Sequence, residues 1–86
     1  EPITLTDGEL SVLSCLMSRP NRVFTCSQIA RAAWGYEVNE KQAKNMVRPH
    51  ISRLRQKFGS LGADPHLLRT VRGRGYVLAS VFEGKI

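Results

Sequence analysis

Residues 43–58 read AKNMVRPHISRLRQKF and are the most informative segment for predicting the fold. Its apolar residues recur at i, i+4, i+7 and i+11, the spacing of one stripe on an α-helix, and they are Val47, Ile51, Leu54 and Phe58. The opposite side of this helix is polar and consists of Asn45, Pro49, Ser52, Arg53 and Gln56. Around the helix, Arg48 and Arg55 flank this polar side. The pattern predicts an amphipathic helix that buries one face and presents the other to solvent.

Positive charge is concentrated on this helix and on a turn that follows it. The helix contains no acidic residue that can pair at i,i+4 with its basic residues, which are Lys44, Arg48, Arg53, Arg55 and Lys57. The turn Arg72-Gly73-Arg74-Gly75 adds two arginines. Residues 44–74 thus hold eight of the thirteen Lys and Arg residues and a single acid, Asp64. A basic helix and a basic turn on an otherwise balanced chain predict a surface that meets a polyanion.

Length and composition are typical of one small globular domain spanning residues 1–86. The hydrophobic and charged shares, 42% and 23%, are ordinary, and the net charge of +6 favours nucleic acid or an anionic membrane surface as partner. No apolar run approaches the roughly 18 residues that a membrane span requires, and no signal-peptide pattern is present. We therefore expect a cytoplasmic protein with no membrane partner. The chain begins at Glu1 rather than at Met, which favours a fragment of a longer protein.

Catalysis and metal binding have little support in the sequence. The cysteines and histidines lack ligand spacing such as C-x-x-C, and they are Cys15, Cys26, His50 and His66. No Gly-rich phosphate loop ends in Lys-Ser/Thr, and the seven acids form no convincing catalytic pair. We expect no catalytic residue, no metal, no cofactor and no enzymatic activity. Both cysteines fall in predicted helices, where reduced thiols are favoured over the alternative of a structural disulfide.

Two capping boxes predict two shorter helices ahead of the basic one. Thr6-Asp7-Gly8-Glu9 and Thr25-Cys26-Ser27-Gln28 each provide a hydroxyl and, three residues later, a side chain that satisfies the free N–H groups of a helix start. The first helix is predicted to end at Pro20-Asn21 and to use, as its apolar face, Leu10, Leu13 and Met17, widened by Val12 and Leu16. The second is predicted to end at Gly35, with an inner face of Ile29, Ala33 and Trp34.

Extended segments and loops are predicted between the helices and at the ends. Ile3-Thr4-Leu5 is predicted to end a short strand, Arg22-Val23-Phe24 to be extended, and residues 35–42 to form a polar loop. Gly59 is predicted to end the basic helix, and residues 80–86 to form an unanchored tail.

A β-hairpin is predicted near the end of the chain. Strands over Leu68–Val71 and Tyr76–Ala79 enclose the Arg-Gly-Arg-Gly turn, whose glycines permit the positive φ of a tight turn. Two capped helices, a polar turn, a basic helix and a basic hairpin together predict a helix-turn-helix followed by a wing.

The functional interpretation places these two basic elements on DNA. The helix would enter the major groove, where arginines grip guanine edges and Ser52 and Asn45 supply short polar contacts. The turn suits the narrower minor groove, where negative potential is concentrated. The plainer alternatives are a solvated basic face and a turn that needs only its two glycines.

Four further residues leave two interpretations open. Thr70 and Tyr76 either contact phosphate through their hydroxyls or serve as sheet residues with high β propensity. Trp34 either packs in the core or donates its indole N–H to a phosphate. His50 lies beside the apolar stripe and is expected to pack or to contact a phosphate rather than to catalyse.

Four local strings, in this order, resemble one family. They are Leu5-Thr6-x-x-Glu9, Ile29-x-x-x-x-Trp34-Gly35, Val47-x-x-His50-Ile51-Ser52-Arg53-Leu54-Arg55-x-Lys57 and Thr70-Val71-Arg72-Gly73-x-Gly75-Tyr76. From Leu5 to about Leu78 the chain resembles the C-terminal DNA-binding domain of OmpR/PhoB-type response regulators. The resemblance implies an α+β winged helix-turn-helix with three helices, a C-terminal hairpin wing and a small N-terminal antiparallel sheet, of which this chain would keep a remnant.

The resemblance also implies roles for individual residues. Those expected to face bases or phosphates from the recognition helix, residues 43–58, are Ser52, Arg53 and Arg55. Those expected to contact the DNA backbone are His50 and Trp34, and those in or beside the wing, residues 70–77, are Thr70, Arg72 and Tyr76. Loop 35–42 corresponds to the family's transactivation loop, which touches RNA polymerase in some members. Members bind promoter direct repeats as homodimers, and a receiver domain, absent from this chain, regulates them by phosphorylation.

One string departs from the family pattern. The family usually reads Val-Asp-Val-His-Ile where this chain reads Val47-Arg48-Pro49-His50-Ile51. Arg48 raises the positive charge that faces DNA. Pro49 cannot donate a helical hydrogen bond, so we expect it either to fall in the first turn or to kink the helix.

The sequence therefore predicts sequence-specific binding of double-stranded DNA by the effector domain of a bacterial transcription regulator. The residues assigned to phosphates are Lys44, Lys57, Trp34 and Thr70. Those assigned to base edges are Arg48, Ser52 and Arg53, and those assigned to the minor groove are Arg72 or Arg74. The alternative is a winged-helix protein–protein module that docks on RNA polymerase and whose basic face is only solvated. An RNA-binding domain is less favoured, because exposed aromatic platforms are scarce.

Overall fold

The computed structural model describes residues 4–79. Three helices are followed by a short 3₁₀ turn, Pro65–Leu67, and by an antiparallel hairpin. In chain order the elements are α1 (Asp7–Ser18), α2 (Cys26–Trp34), α3 (Glu40–Ser60), β1 (Leu68–Val71) and β2 (Gly75–Leu78). None of the helices in the described residues has the length and apolarity that crossing a bilayer requires. The predicted tail, residues 80–86, lies outside the described part of the chain.

Both predicted capping boxes are confirmed. The Thr6 hydroxyl accepts the N–H of Glu9, and the Glu9 carboxylate accepts the N–H of Thr6, at 3.1 and 3.0 Å. Thr25 and Gln28 make the same reciprocal pair at the start of α2. Helix α2 ends at Gly35 as predicted, with the glycine in the left-handed conformation at φ 79°. Helix α1 ends at Ser18, slightly before its predicted end.

Helix α3 is longer than predicted. It starts at Glu40 instead of residue 43, because Asn39 and Gln42 form a third capping box that satisfies the free N–H groups there. The polar loop is correspondingly shorter, residues 35–39, and α3 continues through Gly59 to Ser60.

Pro49 lies in the interior of α3, so of the two alternatives expected for it, the first-turn placement is wrong. Proline has no N–H to donate to the carbonyl of Asn45, and the helix runs past this missing bond. The buried residues before and after it account for this, because Val47 and Ile51 fix the surrounding turns in the core. Tertiary packing therefore outweighs the local cost of the proline.

The core lies where the three helices and the hairpin meet. The stripe predicted for α3 is confirmed, since Val47, Ile51 and Leu54 are buried and Phe58 packs against them. The apolar face predicted for α1 is confirmed in part, since Val12 and Leu16 are buried and Leu13 packs against the core. The other buried residues of this helix are Glu9 and Cys15, which the prediction did not include. Leu10 and Met17 are 51% and 56% exposed. Helix α1 is rotated this way because the face that carries the Glu9 carboxylate turns toward α3.

The hairpin is tied to the helices through a third extended segment. Phe24 and Tyr76 exchange backbone hydrogen bonds of 2.8 and 2.9 Å, which confirms the extended conformation predicted for Phe24. A Cβ at Gly75 would overlap the carbonyl group of Phe24, so only glycine allows this close approach. The predicted N-terminal strand is not formed at Thr4 or Leu5, and Ile3 is outside the described residues. Within the described residues, the sheet therefore consists of the two hairpin strands, β1 and β2.

Candidate nucleic-acid interface

An open cleft of about 600 Å³ separates α3 from the hairpin. Successive turns of α3 form one wall, and the Arg-Gly-Arg turn with its flanking strands forms the other. Five basic residues and one carboxylate, that of Glu40, lie along it, and the basic residues are Lys44, Arg48, Arg55, Arg72 and Arg74. The two basic elements predicted from the sequence thus belong to one continuous surface.

Four of these five cations form no ion pair with a carboxylate of residues 4–79. Lys44 and Arg48 are exposed on α3, and Arg72 and Arg74 are exposed at the tip of the hairpin. Ser52 is exposed on the same wall of the cleft. This arrangement leaves positive charge available to an external anion.

Arg55 is held by the hairpin. Its Nε donates to the carbonyl oxygen of Leu68 at 3.0 Å, and its Nη2 donates to the hydroxyl of Thr70 at 2.8 Å. The guanidinium also lies 5.9 Å from the centroid of the Tyr76 ring. Arg55 therefore links the recognition helix to the hairpin across the cleft.

Arg53 and Lys57 share a carboxylate from α1. Lys57 Nζ lies 2.5 Å from Glu9 Oε1 and also donates to the carbonyl oxygen of Thr4, at 2.7 Å. Arg53 Nε lies 3.3 Å from Glu9 Oε2. The Lys57 hydrogen bond, the Thr6 N–H and these two positive charges outweigh burial and lower the pKa of the Glu9 carboxyl. The sequence does not predict this pairing, because Glu9 lies on α1, far along the chain from Arg53 and Lys57.

His50 and Trp34 pack against each other away from the cleft. Their ring centroids are 5.0 Å apart at 53°, and both side chains are partly buried. His50 Nδ1 lies 3.0 Å from the carbonyl oxygen of Met46. A Cβ at Gly8 would come within 2.5 Å of His50 Nε2, so α1 closes over the imidazole. These contacts favour the packing interpretation for both residues.

The wing residues Tyr76 and Thr70 differ in exposure. Tyr76 is buried, with 8% of its surface exposed, and burial raises the pKa of its phenol. Thr70 is exposed and receives the Arg55 hydrogen bond. The sheet interpretation fits Tyr76 better, whereas Thr70 is an exposed residue that lines the cleft.

Glu40 is a structural residue that the sequence prediction missed. From α3 its carboxylate accepts the N–H groups of Cys26 and Ser27, at 2.9 and 3.1 Å, and the Ser27 hydroxyl at 2.8 Å. It therefore caps α2 from outside and fills the anion-binding position at that helix start. Burial, followed by the neighbouring Glu40 charge, raises the pKa of the Cys26 thiol to about 11. Cys26 and Cys15 are both buried free thiols.

Residues 4–79 contain no group of three or more His, Cys, Asp or Glu side chains able to hold a metal ion. The surface that remains is a basic helix beside a basic hairpin on a helix-turn-helix core. This combination of fold and surface defines a class, the winged-helix DNA-binding effector domains of transcription regulators.

The chain belongs to the family described as transcriptional regulatory protein, C terminal, whose model matches residues 1–78. This membership confirms the resemblance to the effector domains of OmpR/PhoB-type response regulators, and it gives the protein its place among transcription regulators.

Relatives from several organisms show the same similarity. The chain is 40% identical over 77 residues to the response regulator MprA of Mycolicibacterium vanbaalenii, covering 90% of this chain and 32% of that protein. It is 37% identical over 78 residues to the uncharacterized transcriptional regulatory protein YcbL of Bacillus subtilis, covering 91% and 34%. The chain thus spans about a third of the length of these relatives.

A solved structure supports the fold. The DNA-binding domain of the response regulator AdeR, crystallised in complex with an intercistronic region, superposes with a TM-score of 0.72 at 28% identity. The match covers 90% of this chain and 74% of that chain. The winged-helix fold predicted from the sequence is confirmed.

Proposed function

We propose that this domain binds double-stranded DNA sequence-specifically as the effector domain of a bacterial transcription regulator, with α3 in the major groove and the hairpin wing in the adjacent minor groove. The observation that carries the proposal is the shared cleft surface, where Lys44, Arg48, Arg72 and Arg74 are exposed and form no ion pair with the carboxylates of residues 4–79. A duplex supplies the missing negative charge through its phosphates. The related AdeR domain, solved with an intercistronic region, supports DNA as the partner.

The proposed contacts divide by position on α3 and the hairpin, and all but Arg53 line the cleft. Arg48, Ser52 and Arg53 are exposed on α3 and are assigned to base edges, since an α-helix fits the major groove. Lys44 and Thr70 are assigned to phosphates, which fix the register of the domain on the duplex. The wing arginines, Arg72 and Arg74, are assigned to the minor groove, where negative potential attracts guanidinium groups.

Five other residues predicted to contact DNA have interactions within the domain. Lys57 binds Glu9, Arg55 binds the hairpin, His50 packs with Trp34, and Tyr76 is buried. We assign Arg55 to holding the wing while adding positive potential to the cleft. Contacts of Lys57, His50, Trp34 and Tyr76 with DNA stay predictions.

Two partner assignments belong to the same proposal. We expect two copies to bind direct-repeat half-sites as a homodimer, and we expect the loop after α2 to contact RNA polymerase. The exposed Tyr36 side chain supports the second assignment, since 56% of its surface faces solvent. Mass measurement of complexes on duplexes with one or two half-sites tests the first.

Selection of bound sequences from a random duplex pool, followed by a salt titration on the selected site, tests DNA binding. If the lysines and arginines of two bound copies together neutralise about six phosphate charges, affinity is expected to fall roughly a thousandfold between about 50 and 200 mM salt. Undetectable binding to any duplex at low salt would reject the proposal. It would favour the alternative of a protein–protein module with a solvated basic face.

A further inference from the structure

The two oxygens of the Glu9 carboxylate have different partners: one accepts hydrogen bonds from Thr6 and Lys57, and the other forms an ion pair with Arg53. The side chain of Glu9 is fully buried. Its Oε1 accepts hydrogen bonds from the Thr6 N–H at 3.0 Å and from Lys57 Nζ at 2.5 Å. Its Oε2 receives no hydrogen bond within the described residues, and its ion-pair partner is Arg53, whose Nε lies 3.3 Å away. A buried anionic oxygen that is left to one cation strongly favours keeping that cation in place.

The ion pair uses the Nε side of the Arg53 guanidinium. Half of the Arg53 side chain is exposed, whereas Glu9 is not exposed at all. A guanidinium carries five N–H donors in a rigid plane, so an ion pair at Nε restricts the positions that the terminal Nη groups can reach. Bidentate recognition of guanine O6 and N7 requires two such donors at a set orientation. Arg53 thus combines a held inner edge with a free outer one.

We propose that Glu9 is a positioning residue for base recognition, holding Arg53 through Nε so that its terminal Nη groups meet a guanine in the major groove. This inference rests on the proposed function, in which α3 enters that groove. An arginine without an ion pair at this position would lose side-chain entropy when it binds a base. Because Glu9 already restricts Arg53 in the free domain, less entropy is lost on binding.

The variant that tests this is Glu9→Gln. The amide keeps an oxygen that accepts from Thr6 and Lys57, but its NH₂ group replaces Oε2 and opposes the Nε–H donor of Arg53. Thr6→Ala is the matched control, because it removes the cap at the same helix start without contacting Arg53. Unfolding curves of both variants identify a temperature at which each is folded.

The measurement is affinity for the selected site and for variants of it with each base pair replaced. Wild-type protein is expected to discriminate at one G·C pair through Arg53. Glu9→Gln is expected to reduce that discrimination about tenfold, equivalent to about 1.4 kcal/mol, with unchanged affinity for random DNA. Thr6→Ala is expected to preserve the discrimination. In an Arg53→Ala background, Glu9→Gln is expected to cause no additional loss, because the group it positions is gone.

A Glu9→Gln variant that discriminates as wild type does, or that weakens binding equally on all sequences, overturns the positioning role. A second measurement needs no variant at Glu9: NMR relaxation at Nε in the free wild-type domain is expected to show that the Arg53 side chain is less mobile than that of Arg48. Equal side-chain mobility would contradict the proposal. Absence of wild-type duplex binding at low salt would instead overturn the proposed function, so the two failures are distinguishable.

Discussion

At the residue scale, Arg55 shows how a basic side chain can be fixed without an acid. Two of its donors are used by the Leu68 carbonyl and the Thr70 hydroxyl, and its guanidinium carbon lies 5.9 Å from the centroid of the Tyr76 ring. Its positive charge stays on the cleft wall while its position is set by β1. The distance between recognition helix and wing therefore depends in part on one side chain.

Arg55→Met is expected to lower the free energy of unfolding by about 1–2 kcal/mol, because the variant keeps the aliphatic stem and loses two hydrogen bonds from a charged donor. Urea denaturation measures this. Arg48→Met is the control on the same helix, since Arg48 is exposed and makes no ion pair within residues 4–79, and it is expected to change stability by less than about 0.5 kcal/mol. Equal stability losses in the two variants would show that Arg55 does not link helix and hairpin.

At the element scale, local chemistry predicted two of the three helix starts. Thr6 and Thr25 were identified because each precedes an apolar periodic segment. Asn39 was missed because the residues after it, Glu40 to Gln42, are polar, so periodicity begins only at Ala43. The Asn-x-x-Gln spacing was a local signal for this cap. The contact between Glu40 and α2 had no such signal, since it depends on how α2 packs against α3.

Glu40→Gln is expected to destabilise the domain by about 1 kcal/mol at pH 7, because a neutral amide replaces the carboxylate that caps α2. Burial acts to raise the pKa of Glu40, but hydrogen bonds from Ser27 and Cys26 outweigh it and the pKa is lowered from its ordinary value of 4.5. A lowered folded-state pKa means that the stabilisation is present above pH 4.5 and is lost as pH falls through the folded-state value.

Urea unfolding of wild type and Glu40→Gln at pH 7 and near pH 3 measures this dependence. The gap between the two proteins is expected to narrow at the lower pH. A gap of the same size at both pH values would assign the loss to packing instead of charge. Gln28→Ala, which alters the cap of the same helix without a titrating group, is expected to show a pH-independent loss.

At the scale of the whole molecule, the sequence predicted the winged-helix order and the two basic elements but not how the charges are shared. The stripe from Val47 to Phe58 sufficed to orient α3, because an apolar period repeats through several turns. The ion pairs of Glu9 with Arg53 and Lys57 join residues far apart in the chain, so no local rule finds them. Because the face of α1 that carries Glu9 is buried, Leu10 and Met17 lie on the exposed side of this helix. Long-range pairing of charges, more than secondary structure, is what the sequence left open.

In the proposed interface, the salt dependence of DNA binding comes from a few basic residues and not from the whole net charge of +6. Replacing both Arg72 and Arg74 by alanine is expected to make the slope of log affinity against log salt shallower by about 2, since each arginine in the minor groove neutralises about one phosphate charge and each such charge contributes about 0.9. Arg19→Ala also removes a positive charge, but Arg19 lies at the end of α1 and does not line the cleft, so its slope is expected to match wild type. Fluorescence anisotropy on the selected duplex at several salt concentrations measures both slopes. If Arg19→Ala reduced the slope as much per charge as the wing substitutions did, attraction by the overall charge would account for binding, and the wing would lose its assignment to the minor groove.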